Sequence, residues 1–438
     1  MAIPHPLPLL GFLHPDNTSL VLKEFRPHQI LHLLTLRGGT ILIKFSLSVF
    51  LAAQVGLDVL GIYGLIVAIS LVFPVIARGG LVNTLSRDLV DANSKTRNVD
   101  IIHYAAWVAT IYSTIFPLIA FVPIASSQFP THGLAPLIWG IVFLEHIAVD
   151  AVVILNTLRR PQSANLFAFA QAATWAIPYM TVAHLYPECR DLDTLLLFWL
   201  GGTAVTLAIL MRQFRICPPL PSLLTFAWYK RRLAGSTLLF CNDAVSIISQ
   251  YLDRYLIAML FSLDAVGVYT LFGQVSNAIY TLINSSLLQV RRPQLITLFQ
   301  ADRASEAALY HKYLVRDVLT LSAILSIVAG VSMVYLAPYI GRSIIADYTL
   351  LLWCILAAYW FRTWMWAEGT RLFAMRQDGR ILSLNLVVLI LYSVAAIALA
   401  MVIGIYAVPL AYSITACIFI LLAGLITTRD RKTSAERR

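Results

Sequence analysis

Apolar runs of similar length recur along this chain from Leu36 to Thr427, separated by short polar segments. A helix needs about 20 largely apolar residues to cross the hydrocarbon core of a bilayer, and each run is long enough to do so. The pattern predicts an all-α membrane protein with twelve spans, at residues 36–55, 62–85, 101–125, 135–157, 164–185, 194–213, 233–260, 266–289, 317–337, 349–370, 381–403 and 406–427.

The composition supports this prediction, because 59% of the 438 residues are hydrophobic and only 12% are charged. That apolar share exceeds the share usual in soluble domains. The short apolar run Leu9–Leu13 has no Lys or Arg before it and does not resemble a signal peptide. The predicted organisation is a cytosolic and interfacial arm at residues 1–35, a first lobe at 36–213, an amphipathic linker at 214–232, a second lobe at 233–427 and a basic cytosolic tail at 428–438.

The net charge of +10 would suggest a nucleic-acid partner in a soluble protein. Here 26 of the 32 Lys and Arg residues lie in or beside segments that face inside if the N-terminus is inside, and only Arg190 and Arg342 lie in outer loops. Cytoplasmic loops carry such an excess of basic residues. The distribution predicts a multi-pass membrane protein with both termini cytoplasmic and with membrane lipids, not nucleic acid, as partners.

Sequence motifs for a cofactor or a catalytic centre are missing. The five cysteines are scattered and have no metal-site or disulfide spacing. No GxxxxGK[ST] phosphate loop, HExxH pair or GxSxG elbow occurs in the chain. We therefore expect no cofactor, no metal and no enzymatic activity.

A short motif occurs twice. Residues 56–65 read GLDVLGIYGL, and residues 262–271 read SLDAVGVYTL, with Leu, Asp, Gly, Tyr and Leu at matching positions. Each copy leads from an outer loop into a span, the second and the eighth. Because six spans separate the copies, the two halves have the same orientation and form a parallel repeat of six-helix lobes. We expect the shared glycine to permit a tight turn where the helix begins.

Two longer stretches resemble a known family. The sequences LGIYGLIVAIS and GLVNTLSRDL after the first span, and YLDRYLIAMLFSLDAVGVYTLFGQVSNAIY through the seventh and eighth, resemble the signatures of polysaccharide-type flippases. These belong to the multidrug/oligosaccharidyl-lipid/polysaccharide (MOP) exporter superfamily. The resemblance implies a V-shaped pair of six-helix bundles that moves a lipid-linked oligosaccharide across the membrane by alternating access.

Polar residues within spans follow helical spacing. Lipid cannot satisfy such side chains, so we expect them to face a water-filled interior. On the first span Arg37, Thr40, Lys44 and Ser48 are three or four residues apart and share a helical face. The seventh and eighth spans carry similar stripes. The predicted polar lining of the cavity is Thr40, Ser48, Gln250, Gln274, Asn277 and Asn284.

Basic residues within spans are candidates for binding an anionic substrate, because a charge in the bilayer is costly without a partner or a cavity. The first lobe has Arg37, Lys44 and Arg78 where the second, 206 residues later, has Asp243, Gln250 and Asn284. This asymmetry predicts that a lipid pyrophosphate docks against the first lobe. The predicted cationic site consists of Arg37, Lys44, Arg78, Arg254 and Arg362.

Some of these residues have simpler interpretations. Arg254 could take part in pairing between neighbouring helices, and Arg362 could stack on the ring of Trp366. Three carboxylates, Glu145, Asp150 and Asp243, are candidates for binding a coupling ion, since their protonation would depend on exposure. Asp150 lies four residues after His146 and could instead pair with it.

The function that the family resemblance implies is the flipping of an undecaprenyl-pyrophosphate-linked oligosaccharide from the inner to the outer leaflet of the bacterial cytoplasmic membrane, for synthesis of O-antigen or exopolysaccharide. Polymerase or export machinery would be further partners. One alternative is an ion-coupled multidrug exporter of the same superfamily, against which Lys44 and Arg78 argue. A membrane glycan polymerase is less favoured, because such enzymes typically have a large outer loop and the outer connections here are short.

Overall fold

The computed structural model describes residues 27–82, 84–85, 94–121, 133–158, 160–214, 226–301, 303–336 and 347–436. The predicted arm up to residue 26, most of the predicted linker, part of the GLVNTLSRDL signature and the last two residues of the tail lie outside these ranges. The described residues form thirteen α-helices: α1 Pro27–Phe50, α2 Leu57–Arg78, α3 Ser94–Phe121, α4 Ala135–Thr157, α5 Pro161–Leu185, α6 Leu192–Phe214, α7 Phe226–Leu260, α8 Leu263–Ile283, α9 Gln289–Gln300, α10 Ala304–Leu336, α11 Thr349–Ala374, α12 Asp378–Ile403 and α13 Ala407–Glu436.

Twelve of these helices coincide with the twelve predicted spans, which confirms the all-α architecture. The exception is α9, which lies in the connection after the eighth span and is joined to α8 by a π-helical turn, Asn284–Leu288. A second π-helical turn, Leu51–Val55, extends α1. The predicted linker overlaps the start of α7, since α7 begins at Phe226.

Eight segments among the described residues are long and apolar enough to cross a membrane, and one of them, Asp378–Thr428, contains both α12 and α13. The helices α3, α7 and α8 are not among these segments. Of these, α7 and α8 carry the polar stripes predicted above, which lowers their hydropathy below that of a helix surrounded by lipid. Such helices are expected next to a polar interior.

The helix packing repeats between the two halves of the chain. In the first half α1 packs on α5, α5 on α6, and α4 on α2, α3 and α6. In the second half, the equivalent contacts join α7 to α12, α12 to α13, and α11 to α8, α10 and α13. The same arrangement of neighbours in the same chain order confirms the parallel repeat of two six-helix lobes.

The two lobes meet mainly where α2 crosses α8, at the two copies of the repeated motif. A Cβ atom added to Gly61 would lie 2.2 Å from the carbonyl oxygen of Leu263, and one added to Gly267 would lie 2.0 Å from that of Leu57. Next to this pair, a Cβ on Gly64 would lie 2.2 Å from the hydroxyl of Thr270. The backbones therefore touch, and only glycine permits this approach.

The interpretation of the shared glycine as a turn residue was wrong. Gly61 and Gly267 lie within α2 and α8, four residues after each helix begins, and have no unusual backbone angles. The repeated glycine instead allows one lobe to contact the other at the end of the bundle predicted to face outward. We call this crossing, formed by Gly61, Gly64, Gly267 and Thr270, the outer contact.

A side chain at the outer contact should separate the lobes. We predict that Gly267→Leu exposes Leu60, which is fully buried in α2, because the added side chain cannot fit against the Leu57 carbonyl. The measurement is the labelling of a Leu60→Cys variant, free of native cysteines, by a membrane-impermeant maleimide added outside. Labelling should increase severalfold.

The control is Gly201→Leu, since nothing lies within 4 Å of a Cβ at Gly201 in α6. This change should leave Leu60→Cys as protected as in the parent protein. Equal protection of Leu60→Cys with Gly267→Leu would show that the close approach does not keep the outer end closed.

Candidate functional site

A cavity of about 120 Å³ lies between the lobes and has residues of both in its walls. We call it the central cavity. The first lobe contributes Lys44 of α1 and Glu145 of α4, and the second contributes Arg254 of α7 with Gln274 and Asn277 of α8. The sequence had predicted all five as site residues, and the fold brings them to one space. The part that each plays in binding stays a prediction.

A second cavity of about 250 Å³ lies nearer the predicted cytoplasmic ends of α2 and α7. We call it the inner cavity. Its walls include Arg78 of α2, Asp243 and Gln250 of α7, and Trp366 of α11. The predicted site residues that reach a cavity are therefore divided between two spaces along the interface of the lobes.

Lys44 lies in α1, near the middle of the first predicted span, and has an exposed side chain at the central cavity. Among the described residues, no carboxylate lies within ion-pair distance of its ammonium group. A Lys side chain is a compact, strongly hydrated charge with three donors, and it needs solvent or an anion around it. The central cavity has space for water or an anion next to Lys44.

Arg78, by contrast, is already neutralised. Its Nη2 lies 2.5 Å from Oδ1 of Asp150 on α4, and both side chains are largely buried. Asp150 also lies 2.9 Å from Nε2 of His146 and accepts a hydrogen bond from the hydroxyl of Tyr104 on α3. This network ties α2, α3 and α4 together within the first lobe. It supports the simpler interpretation of Asp150 as a pairing partner.

Arg254 is buried and lies beside the acid that precedes it. Its Nη1 donates to Oδ1 of Asp253 over 3.1 Å, and its guanidinium lies 5.2 Å from the ring centre of Tyr251. The residue lines the central cavity opposite Lys44. Its charge is thus partly balanced, which leaves it as a weaker candidate for an anion than Lys44.

Arg362 is 2% exposed and sits in α11 between two tyrosines. Its guanidinium carbon is 4.9 Å from the ring centre of Tyr280 and 5.0 Å from that of Tyr359. The expected stacking on Trp366 was wrong, because the ring of Trp366 packs against Tyr280 instead. Within the described part of the chain Arg362 has no ion pair, and aromatic faces supply its electrostatic stabilisation.

Besides Arg362 and Asp150, four more predicted site residues line neither cavity. Arg37 donates from Nε to Oδ1 of Asn165 on α5 over 2.8 Å, and Ser48 is fully buried and donates to the carbonyl of Lys44. Thr40 donates to a carbonyl one turn earlier, and Asn284 begins the π-helical turn after α8. The predicted polar stripe on α1 does not face the cavity as a whole, because α1 packs against α5.

Glu145 is held by donors from two other helices. Its Oε2 accepts from Nε2 of Gln171 on α5 at 2.8 Å, and its Oε1 accepts from Nε1 of Trp199 on α6 at 2.6 Å. The hydroxyl of Thr203 approaches Oε1 at 3.4 Å. No basic residue of the described chain is within ion-pair distance of Glu145, so a carboxylate fixed by hydrogen bonds alone faces the cavity.

Sequence reasoning missed the aromatic residues of the central cavity. Tyr63, Trp175 and Trp199 line it on the first lobe, and Tyr251 and Tyr359 line it on the second. Membrane aromatic residues concentrate at the two interfaces. Trp175 lies near the middle of the fifth span, and this unusual position is the signal that could have identified it.

The structure predicts different consequences for loss of two first-lobe cations. Arg78→Ala removes the arginine that balances the charge of the buried Asp150, so we expect a loss of roughly 3–5 kcal/mol in stability. Lys44→Ala removes an exposed side chain and should change stability by about 0.5 kcal/mol or less. Thermal unfolding of both variants in detergent, followed by size exclusion, measures the contrast.

The double variant Arg78→Ala/Asp150→Asn removes the stranded carboxylate and should recover part of the stability lost in Arg78→Ala. If Arg78→Ala unfolds at the same temperature as Lys44→Ala, the network around Asp150 does not stabilise the lobe.

Comparison with solved structures supports this architecture. The chain matches an inward-facing multidrug resistance MATE family transporter of the MOP superfamily with a TM-score of 0.66 and 13% identity, over 90% of this chain and 96% of the other. It matches the lipid II flippase MurJ, in an inward closed conformation, with a TM-score of 0.69 and 15% identity, over 90% and 87%.

An outward-facing MATE family structure gives a lower TM-score of 0.59, at 11% identity, over 91% of this chain and 94% of the other. No protein-family model matches the sequence, and no curated protein does. The structural similarities extend over almost the whole chain and confirm the expected fold. The protein has the fold of the MOP exporter superfamily, with two six-helix lobes around a central cavity.

Proposed function

We propose that this protein is a flippase that carries an undecaprenyl-pyrophosphate-linked oligosaccharide from the inner to the outer leaflet of the bacterial cytoplasmic membrane. The oligosaccharide is a repeat unit for a surface polysaccharide. The observation that carries the proposal is Lys44, an exposed cation without a carboxylate partner in a cavity between two transporter-like lobes. Its compact ammonium group suits the doubly charged pyrophosphate.

The first lobe keeps its predicted role in binding the pyrophosphate, but with fewer cations. Arg78 is paired with Asp150, and Arg37 lines neither cavity, which leaves Lys44 as the predicted first-lobe cation that faces the central cavity. Arg254 stands on the opposite wall of the central cavity. A pyrophosphate between Lys44 and Arg254 would contact both lobes.

The direction of transport agrees with the contacts between the lobes. The outer contact closes the end that the charge distribution places outside, and the chain is more similar to the inward-facing than to the outward-facing MATE family structure. In alternating access, this conformation would accept substrate from the inner leaflet. Separation of α2 from α8 would then release it outside.

An ion-coupled multidrug exporter is the alternative, since several similar structures are multidrug transporters. Glu145 would suit a cationic drug or a coupling ion. Lys44 in the same cavity repels such a drug, and a positive charge in this low-dielectric space is expensive unless it binds an anion. Two cations, Lys44 and Arg254, line the cavity against one carboxylate, Glu145, and this excess of positive charge favours an anionic, lipid-linked substrate.

Deletion of the gene should cause undecaprenyl-linked oligosaccharide to accumulate while surface polysaccharide disappears. Mass spectrometry of the lipid extract measures this intermediate and identifies its sugars. If surface polysaccharide is unchanged and only drug sensitivity increases, the exporter alternative replaces the proposed function.

Lys44→Ala should reduce surface polysaccharide by about tenfold or more, because the pyrophosphate loses a charge-assisted contact. Lys44→Arg keeps the charge and should restore most of the loss. The matched control is Arg212→Ala, which removes an exposed cation at the end of α6. If Arg212→Ala lowers surface polysaccharide as much as Lys44→Ala does, the effect comes from the loss of a basic residue that orients the chain in the membrane, and not from a loss of binding.

A further inference from the structure

One wall of the central cavity combines a carboxylate, an amide and aromatic rings. Glu145 of α4 accepts hydrogen bonds from Gln171 of α5 and Trp199 of α6, and the indole rings of Trp175 and Trp199 are stacked with 5.0 Å between their centroids and 12° between their planes. The ring of Tyr63 on α2 lies 5.4 Å from that of Trp199. We call this the aromatic–carboxylate wall.

The polar groups of this wall have capacity to bind a ligand. Each carboxylate oxygen can accept about two hydrogen bonds, so Oε2 of Glu145, which accepts one from Gln171, has room for another. The side-chain oxygen of Gln171 is a further acceptor. Because both groups are held by hydrogen bonds across three helices, their acceptors are fixed in direction before a ligand arrives.

The aromatic groups complete a pattern suited to sugars. A pyranose ring has one or two faces of C–H groups and a rim of hydroxyl groups. Flat aromatic surface can cover such a face, and fixed acceptors at its edge can bind the hydroxyl hydrogens. A pocket that offers only aromatic surface or only acceptors would meet one half of this requirement.

We propose that the aromatic–carboxylate wall is the glycan subsite, and that it binds a sugar of the lipid-linked oligosaccharide next to the pyrophosphate. The inference rests on the proposed function, which supplies the pyrophosphate at Lys44 in the same cavity. In this arrangement Lys44 binds the charge that all such lipids share. Glu145, Gln171, Trp175 and Trp199 contact the part that differs between them.

The charges of the cavity distinguish a sugar from an organic cation at this wall. Glu145 already accepts from an indole N–H and an amide N–H, which offsets part of its negative charge. Lys44 adds a positive charge to the same space. A neutral ligand with hydroxyl donors uses the free acceptor capacity without meeting the repulsion that a cation would meet.

The cavity must widen when a glycan binds. Its 120 Å³ is below the roughly 300–1,000 Å³ typical of ligand pockets, and Trp175 and Trp199 are each 3% exposed. The wall lies on one lobe and is opposed by Tyr251, Arg254 and Tyr359 of the other. Movement of one lobe relative to the other would therefore uncover the aromatic faces without breaking the hydrogen bonds of Glu145.

The test compares two lipids on the purified, full-length protein. One is undecaprenyl pyrophosphate, and the other is the undecaprenyl-pyrophosphate-linked oligosaccharide extracted from the deletion strain. Glu145→Gln and Trp175→Leu should weaken binding of the glycan-bearing lipid by about tenfold without weakening binding of undecaprenyl pyrophosphate. Lys44→Ala should weaken both.

Trp353→Leu is the matched control, since Trp353 packs against Gly330 in the second lobe, away from the cavity. It should leave both affinities unchanged. Retained binding of undecaprenyl pyrophosphate shows that each variant is folded, and Glu145→Gln decides the matter if Trp175→Leu does not fold.

The outcomes separate the subsite from the function. If the parent protein binds neither lipid, the proposed function fails and the subsite with it. If it binds both lipids, and Glu145→Gln affects them equally or not at all, the function stands and the glycan subsite is overturned. Binding of rhodamine 6G that Glu145→Gln abolishes, with glycan binding unchanged, would assign the wall to organic cations instead.

Discussion

The structure depends on one constraint: a charge inside a membrane protein needs a partner of opposite charge, an aromatic face or a water-filled space. Arg78 has Asp150, Arg254 has Asp253, and Arg362 lies between two tyrosine rings. Lys44 instead lies at the central cavity, which is the third case. The way in which each cation is compensated separates the residues that hold a lobe together from the one that is open to a ligand.

The same constraint explains which parts of the structure could be predicted. Span length and the distribution of basic residues depend on local sequence, and they predicted all twelve long helices. The pairing of His146 with Asp150 was also predictable from the sequence, because residues four apart share a helical face. The pairing of Arg78 with Asp150 was not, since 72 positions separate them and only the packing of α2 against α4 brings them together.

Glycine shows a different limit. Its lack of a side chain suits both a tight turn and a close helix crossing, and the sequence alone does not distinguish these uses. The structure resolves the choice through Leu263 and Leu57, whose carbonyl oxygens occupy the space that a Cβ on Gly61 or Gly267 would need. The motif is repeated because each lobe supplies one half of the crossing. Equivalent positions of the two lobes also need not face the same cavity. Lys44 lines the central cavity, whereas its equivalent Gln250 lines the inner cavity.

The helices that form the outer contact also line the cavity, and this links closure to binding. In α2, Gly61 touches the other lobe while Tyr63, half a turn later, lines the central cavity. In α8, Gly267 is followed two turns later by Gln274 and then by Asn277, both in the cavity wall. A rigid helix cannot move at one of these positions without moving at the other. Separation of α2 from α8 must therefore change the walls around a ligand, and a ligand that favours one arrangement of the walls must shift the balance between the closed and the open outer end.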